Sequence, residues 1–314
     1  MKITFLGTSA GTPTRERNVT SQALTFTNGG LWLLDCGEAT QHQFIKLGLK
    51  ASRCERILIT HLHGDHCYGL PGMLMFIAIS GRIEPVEVAG PPGIREFLTT
   101  ILRISEAELP YRLTITELPA DGGSLESLGG WQATAHPIAH RVTCLGWCLT
   151  EDQRPGRFHV DRAQRIGVPE GALFGQLQRG EPIRLADGRI VVPSDVTDPP
   201  RPGRKVILLG DTSDPSGIAA AAEGCDLLVC EATYDQERPD KAVAWGHSTT
   251  AMTGAFAHKI NAKRLIITHF SSRYTDTSPD VTVADLLAET KRACPRTEVY
   301  AATDLWSFAI EPLG

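Results

Sequence analysis

Arg56-Ile57-Leu58-Ile59-Thr60-His61-Leu62-His63-Gly64-Asp65-His66 runs a short apolar stretch straight into three histidines and an aspartate within six residues. The apolar part reads as a strand buried on both faces. Gly64 permits the turn that brings Asp65 and His66 back beside His61 and His63. Imidazole and carboxylate groups crowded at one strand end repel or desolvate one another unless a cation sits among them, so the segment points to a metal.

The same design recurs. Val206-Ile207-Leu208-Leu209-Gly210-Asp211 and Leu265-Ile266-Ile267-Thr268-His269 each deliver one ligand-type residue from the end of an apolar run. A further histidine is needed, and His136 and His140 both stand at the end of the apolar run Trp131 to Ala135. With it the set reaches seven groups, too many for one tetrahedral zinc with an open position but suited to two metals sharing a carboxylate.

Around these points, short β-rich runs alternate with helical stretches, as in sheets covered by helices, a layered α/β arrangement. The expected strands are Lys2 to Leu6, Gln22 to Phe26, Leu31 to Asp35, Arg56 to Thr60, Val86 to Ala89, Leu113 to Glu117, Trp131 to Ala135, Cys144 to Leu149, Lys205 to Leu209, Leu227 to Cys230 and Arg264 to Thr268. The expected helices are Glu38 to Leu47, Gly69 to Ser80, Gly93 to Ser105, Ser216 to Ala222, Ser248 to Ile260 and Pro279 to Ala293, with Ser248 and Ser278 as starts. From Arg154 to Arg204 this rhythm fails: Pro-Gly turn signals crowd together with little apolar periodicity, which reads as an inserted, projecting arm.

With 314 residues, 42% hydrophobic and 21% charged, the chain has the composition of a globular protein and can bury a large core. No apolar run approaches the ~20 residues of a membrane span, and the first residues lack signal-peptide features, so a cytoplasmic enzyme is expected. The eight cysteines include no close CxxC pair and read as buried small hydrophobes. A net charge of −5 argues against bulk electrostatic coating of nucleic acid. Residues 151 to 205 nevertheless hold ten Arg and Lys against eight Asp and Glu, net +2, which leaves −7 for the rest and gives the arm the sign a phosphate partner needs.

His61-Leu-His-Gly-Asp-His66 resembles the HxHxDH motif of the metallo-β-lactamase fold, and the chain resembles the short form of the ribonuclease Z family, tRNA 3′-processing endonucleases. The similarity rests also on Leu6 to Pro13 with Arg17-Asn18, Asp35-Cys-Gly-Glu38, Gly69-Leu-Pro-Gly72, Gly210-Asp-Thr212, Glu231-Ala-Thr233, Gly246-His-Ser-Thr249 and Thr268-His-Phe-Ser-Ser-Arg-Tyr274, spread over nearly the whole chain. The resemblance implies an αββα sandwich formed by residues 1 to 314 as a single domain, with 154 to 204 an inserted flexible arm that grips tRNA, in a homodimer. It implies two zinc ions, with manganese or cobalt as substitutes. His61, His63 and His140 would hold the first, Asp65, His66 and His269 the second, and Asp211 would bridge them. His140 is preferred to His136 because family members place Gly-Tyr six and seven residues after the ligand, where this chain has Gly146-Trp147. Trp147 for Tyr, Cys230 for the His of His-Glu-Ala-Thr, Ala172 for the Pro of a Gly-Pro pair, and Ala39 for Gly depart from the family pattern.

The implied reaction is hydrolysis of a phosphodiester by a water whose pKa the metals lower. Asp65 would ligate a metal and orient or deprotonate the nucleophile. His247, oriented and kept protonated by Glu231, would protonate the leaving 3′ oxygen, and Arg273 would clamp the phosphate. Products would be a 3′-hydroxyl on the tRNA and a 5′-phosphate on the trailer. Asp35 and Glu38 are expected behind the ligands, while Arg17 and Asn18 are candidates to meet substrate. A small-molecule phosphodiesterase or other hydrolase of the same superfamily is the alternative, and would need no basic arm. A non-catalytic RNA-binding module is the third reading, opposed by the complete ligand set.

Overall fold

A computed structural model describes residues 1–275, 278 and 280–311. In chain order its strands are β1 (Lys2–Gly7), β2 (Ser21–Thr25), β3 (Leu31–Leu34), β4 (Cys54–Leu58), β5 (Val86–Gly90), β6 (Leu113–Glu117), β7 (Gly123–Ser124), β8 (Trp131–Ile138), β9 (Cys144–Glu151), β10 (Ile183–Arg184), β11 (Ile190–Val191), β12 (Lys205–Leu208), β13 (Leu227–Glu231), β14 (Arg264–Thr268), β15 (Glu298–Ala301) and β16 (Ser307–Ala309). The helices are α1 (Thr40–Leu47), α2 (Gly64–Cys67), α3 (Leu70–Ile79), α4 (Ile94–Ile104), α5 (Val160–Arg165), α6 (Ala172–Gln178), α7 (Pro193–Val196), α8 (Ala219–Ala222), α9 (Pro239–Trp245), α10 (Thr250–Lys259) and α11 (Val283–Ala293). Two compact units result, residues 1–150 with 205–314 and residues 151–204.

In the larger unit, two seven-stranded sheets run in the orders β16-β1-β2-β3-β4-β5-β6 and β15-β14-β13-β12-β9-β8-β7. Alternation along the strands assigns each residue to a layer. Leu58 joins Ile3, Phe5, Trp32, Trp131, Trp147, Val206, Leu208 and Ile266 in a core between the sheets. Ile57 and Ile59 point the other way, into a layer with Phe44, Met73, Leu74, Ile77 and Leu98 of α1, α3 and α4. Ile207, Leu209, Leu265 and Ile267 pack outward against Phe256, Ala257 and Leu286 of α10 and α11. The unit is therefore an αββα sandwich, and runs such as Ile57–Leu58 of β4, Val206–Leu208 of β12 and Leu265–Ile267 of β14 are continuously apolar because both faces are covered there. Truncating a fully buried side chain here, Leu58→Ala for example, costs about 2–5 kcal/mol.

Several boundaries differ from the sequence reading. The helix expected from Ser248 begins at Thr250, because Thr249 caps Met252 N–H while Ser248 Oγ donates to Thr212 O at 2.6 Å. The last helix begins at Val283 under a Thr282–Asp285 capping box rather than at Pro279, which lies outside the described residues. All eight cysteines are free and buried. No described helix is long and apolar enough to cross a membrane.

The smaller unit is more ordered than its turn-rich sequence suggests. Helices α5 to α7 and the β10–β11 hairpin enclose a core of Ala163, Val168, Leu177, Ile183, Leu185, Val191 and Val196. Glu151 accepts the Arg204 Nε–H at 2.7 Å and ties the two ends of this segment together.

Candidate metal centre

Four loops at strand ends in the sandwich carry the ligand-type residues to one place, the one after β8 supplying His140. After β4, Thr60 leads into His61 and His63, and α2 turns Asp65 and His66 back toward them. After β12 comes Gly210, where a Cβ would lie 2.5 Å from Thr60 Oγ1, so the two strand ends approach this closely only with glycine there. Asp211 follows. After β14 comes His269, held at a left-handed φ of 57°, a conformation that costs a non-glycine residue on the order of 1–3 kcal/mol.

Two groups of ligand atoms form. His61, His63, His140 and Asp211 make one, and Asp65, His66, Asp211 and His269 the other, so Asp211 belongs to both. In the second, His66 Nε2 lies 3.3 Å from His269 Nε2 and 3.5 Å from Asp65 Oδ2, and Asp211 Oδ1 is 3.2 Å from His66 and 3.3 Å from His269. In the first, His140 Nε2 is 3.1 Å from His63 Nδ1, and His61 Nε2 is 3.7 Å from Asp211 Oδ2. Ligands on one tetrahedral zinc stand roughly 3.3 Å apart, given bonds of about 2.0–2.1 Å. His61 Nε2 and Asp211 Oδ1 are buried and hydrogen-bond to nothing, the orphaned atoms a cation would satisfy. The donor set fits a pair of metal ions.

The imidazoles are oriented from behind. His66 Nδ1–H donates to Asp35 Oδ2 at 2.8 Å, His61 Nδ1–H to Thr60 Oγ1 at 3.0 Å, His140 Nδ1–H to Gly246 O at 2.7 Å and His269 Nδ1–H to Thr233 Oγ1 at 3.0 Å. Each Nε2 lone pair is thereby turned inward. Asp35, itself at a φ of 54°, also accepts Thr60 N–H at 2.8 Å. Burial pushes His61, His63 and His140 below the usual imidazole range, which suits the neutral form a metal binds. Burial acts the same way on His66, but Asp211, Asp65 and Asp35 outweigh it and raise its pKa.

Glu231 and His247 form a separate pair beside these ligands. Glu231 Oε1 accepts Thr212 N–H at 2.7 Å and His247 Nδ1–H at 3.0 Å, while Oε2 accepts Ser248 N–H at 3.1 Å and the Thr233 hydroxyl. Burial alone would lower the pKa of His247, but the Glu231 carboxylate reverses this and lifts it to about 9. Asp65 Oδ2 accepts Gly11 N–H at 2.8 Å.

Of the other sequence candidates, His136 stays outside the cluster and contacts Thr134 Oγ1 at 3.1 Å. Arg17 is not placed to meet substrate: it is buried, donates to Thr8 Oγ1 at 2.8 Å and stacks over Phe270. Arg273 is exposed at a turn after His269. Trp147 is fully buried, with Gly146 beside it where a Cβ would come 2.8 Å from Leu209. Cys230 is buried against Thr253. Sequence reasoning missed the seats behind His140 and His269, since Gly246 O and Thr233 Oγ1 carry no ligand-type signal of their own.

A family model described as Anti-Pycsar protein Apyc1 matches residues 1–98. Over 99% of its length the chain is 42% identical to Ribonuclease Z of Thermosynechococcus vestitus, of which it covers 75%. It is 41% identical to Ribonuclease BN of Proteus mirabilis, over 99% of this chain and 100% of that one. The crystal structure of human tRNase Z, short form, superposes with a TM-score of 0.72 at 29% identity, covering 99% of this chain and 100% of that one.

Proposed function

This chain belongs to the ribonuclease Z (ribonuclease BN) family, and from that premise we propose that it is a metal-dependent endoribonuclease that removes the 3′ trailer of precursor tRNA. The observation that carries the reading is the two-part ligand cluster sharing Asp211 with the His247–Glu231 pair at its side. His61, His63 and His140 would hold one zinc ion, Asp65, His66 and His269 the other, and Asp211 both, with manganese or cobalt able to replace zinc. When bound, the ions supply Lewis acidity that lowers the pKa of water and offsets charge on the phosphate.

The chain's own residues manage the protons. Asp65, fixed by Gly11 N–H on one oxygen, orients the attacking water and accepts its proton. As the P–O3′ bond breaks, His247 gives the leaving oxygen its proton from Nε2, since Nδ1 is engaged by Glu231. The raised pKa keeps that proton in place at neutral pH. Arg273 offsets charge on the non-bridging oxygens. Because water is the nucleophile, the products are a 3′-hydroxyl on the tRNA and a 5′-phosphate on the trailer.

Residues 154–204 serve as the arm that grips the tRNA body, a role supported by their basic excess. A homodimer in the cytoplasm completes the reading; the exposed isoleucines Ile45, Ile79 and Ile83 on and after α1 and α3 support the dimer, and sedimentation of the purified protein tests it. The catalytic reading is tested by incubating the metallated protein with a precursor tRNA and mapping both product ends. Cleavage leaving a 3′-hydroxyl supports it. Hydrolysis of bis(p-nitrophenyl) phosphate with no cleavage of the tRNA would favour a small-molecule hydrolase instead.

A further inference from the structure

Beside His247, the rim of the centre carries aromatic rings paired with cations that no carboxylate neutralises. Helix α9 ends at Trp245, whose side chain is 52% exposed, and the chain turns through Gly246 at a φ of 76° into His247. A Cβ at Gly246 would lie 2.6 Å from His140 Nδ1 and 3.1 Å from Arg141 Cγ, so this turn is pressed against the ligand loop. It fixes Trp245 two residues from the proton donor. The Arg141 guanidinium lies over the Trp245 ring at 5.0 Å. Tyr234, with its ring centroid 6.2 Å from that of His247, carries Lys241 Nζ at 5.5 Å. Among the described residues, no ion pair joins Arg141, Lys241 or Arg273 to a carboxylate. With Tyr68, Trp245 is the aromatic side chain most open to solvent.

An indole left half exposed beside a catalytic group, with unpaired cations around it, has the chemistry that receives single-stranded RNA: bases stack on aromatic faces while cations meet phosphates. Its side of the centre gives it a polarity, and here the argument rests on the proposed reading. His247 protonates the 3′ oxygen of the nucleotide upstream of the cut, so the surface next to His247 faces that nucleotide and not the trailer. We infer that Trp245 with Arg141, flanked by Tyr234 with Lys241, seats the base and 5′-phosphate of the unpaired nucleotide on the tRNA side of the scissile bond.

The test compares wild type, Trp245→Ala and Trp245→Phe on one precursor tRNA and on the same RNA abasic at that single nucleotide. On the intact RNA, Trp245→Ala should lose roughly tenfold or more in kcat/KM, chiefly through KM, and Trp245→Phe should recover most of it. Wild type should lose a similar factor on the abasic RNA, and Trp245→Ala no further factor. A Trp245→Ala protein as active as wild type on intact RNA would overturn the seat. So would an equal loss on both RNAs, since that would mark the indole as a structural support. If wild type leaves the intact RNA uncut, the tRNA reading itself falls and the seat with it, an outcome distinct from either of these.

Discussion

Around Asp211 the polar side chains are buried and held by partners from distant parts of the chain, whereas in residues 151–204 the charged side chains are exposed and pair mostly with near neighbours. Glu231 alone gathers Thr212, Thr233, His247 and Ser248. By contrast Arg165 pairs with Asp161 four residues away, Arg189 with Asp187 and Arg179 with Glu181, all well exposed. Solvent screens exposed pairs of this kind and leaves them little weight in stability, so the smaller unit depends on its few apolar residues. The difference teaches that one region fixes its polar atoms through buried partners far apart in sequence, while the other leaves its charges at the solvent.

Substitutions break this contrast in graded fashion. Removing the proposed proton donor with His247→Ala should lower kcat about 10²–10⁴-fold while metal analysis of the variant still finds the ions bound. Asp35→Asn weakens the support behind His66 and Thr60, and metal affinity measured by chelator competition should fall about 10–100-fold. Leu177→Ala in the smaller unit should cost that unit about 2–5 kcal/mol, read as faster proteolysis and amide exchange within 151–204. The smallest effect concerns Glu151. Burial would raise its pKa, but the Arg204 hydrogen bonds outweigh this and lower it below 4.5. A depressed folded-state value means the contribution is present above about pH 4.5 and is lost as pH falls through the folded value. Amide protection in 151–204 should therefore drop on acidification in that window, and less so in Glu151→Gln.

The sandwich and the ligand cluster were largely legible because their signals are local and dense. Apolar runs such as Leu265 to Ile267 mark strands covered on both faces, and three of them end in a ligand-type residue. The supports were harder to read, since a backbone carbonyl such as Gly246 O or a hydroxyl such as Thr233 Oγ1 becomes a His partner only through tertiary contact. Arg17 misled for the same reason: a charged residue in a polar loop looks free to meet substrate until Thr8 and Phe270 close around it. In the smaller unit, turn signals hid a core whose apolar residues lie too far apart in sequence to show a period. Edge strands β7, β15 and β16 escaped notice because they are short and partly exposed.

If Asp211 serves two ions at once, activity depends on two metal equivalents per chain. The direct measurement strips the protein with a chelator, restores zinc in known equivalents and follows precursor tRNA cleavage at each step. Cleavage should be absent in the stripped protein and rise to a plateau at two equivalents per chain. Full cleavage by the stripped protein, or a plateau at one equivalent, would contradict it.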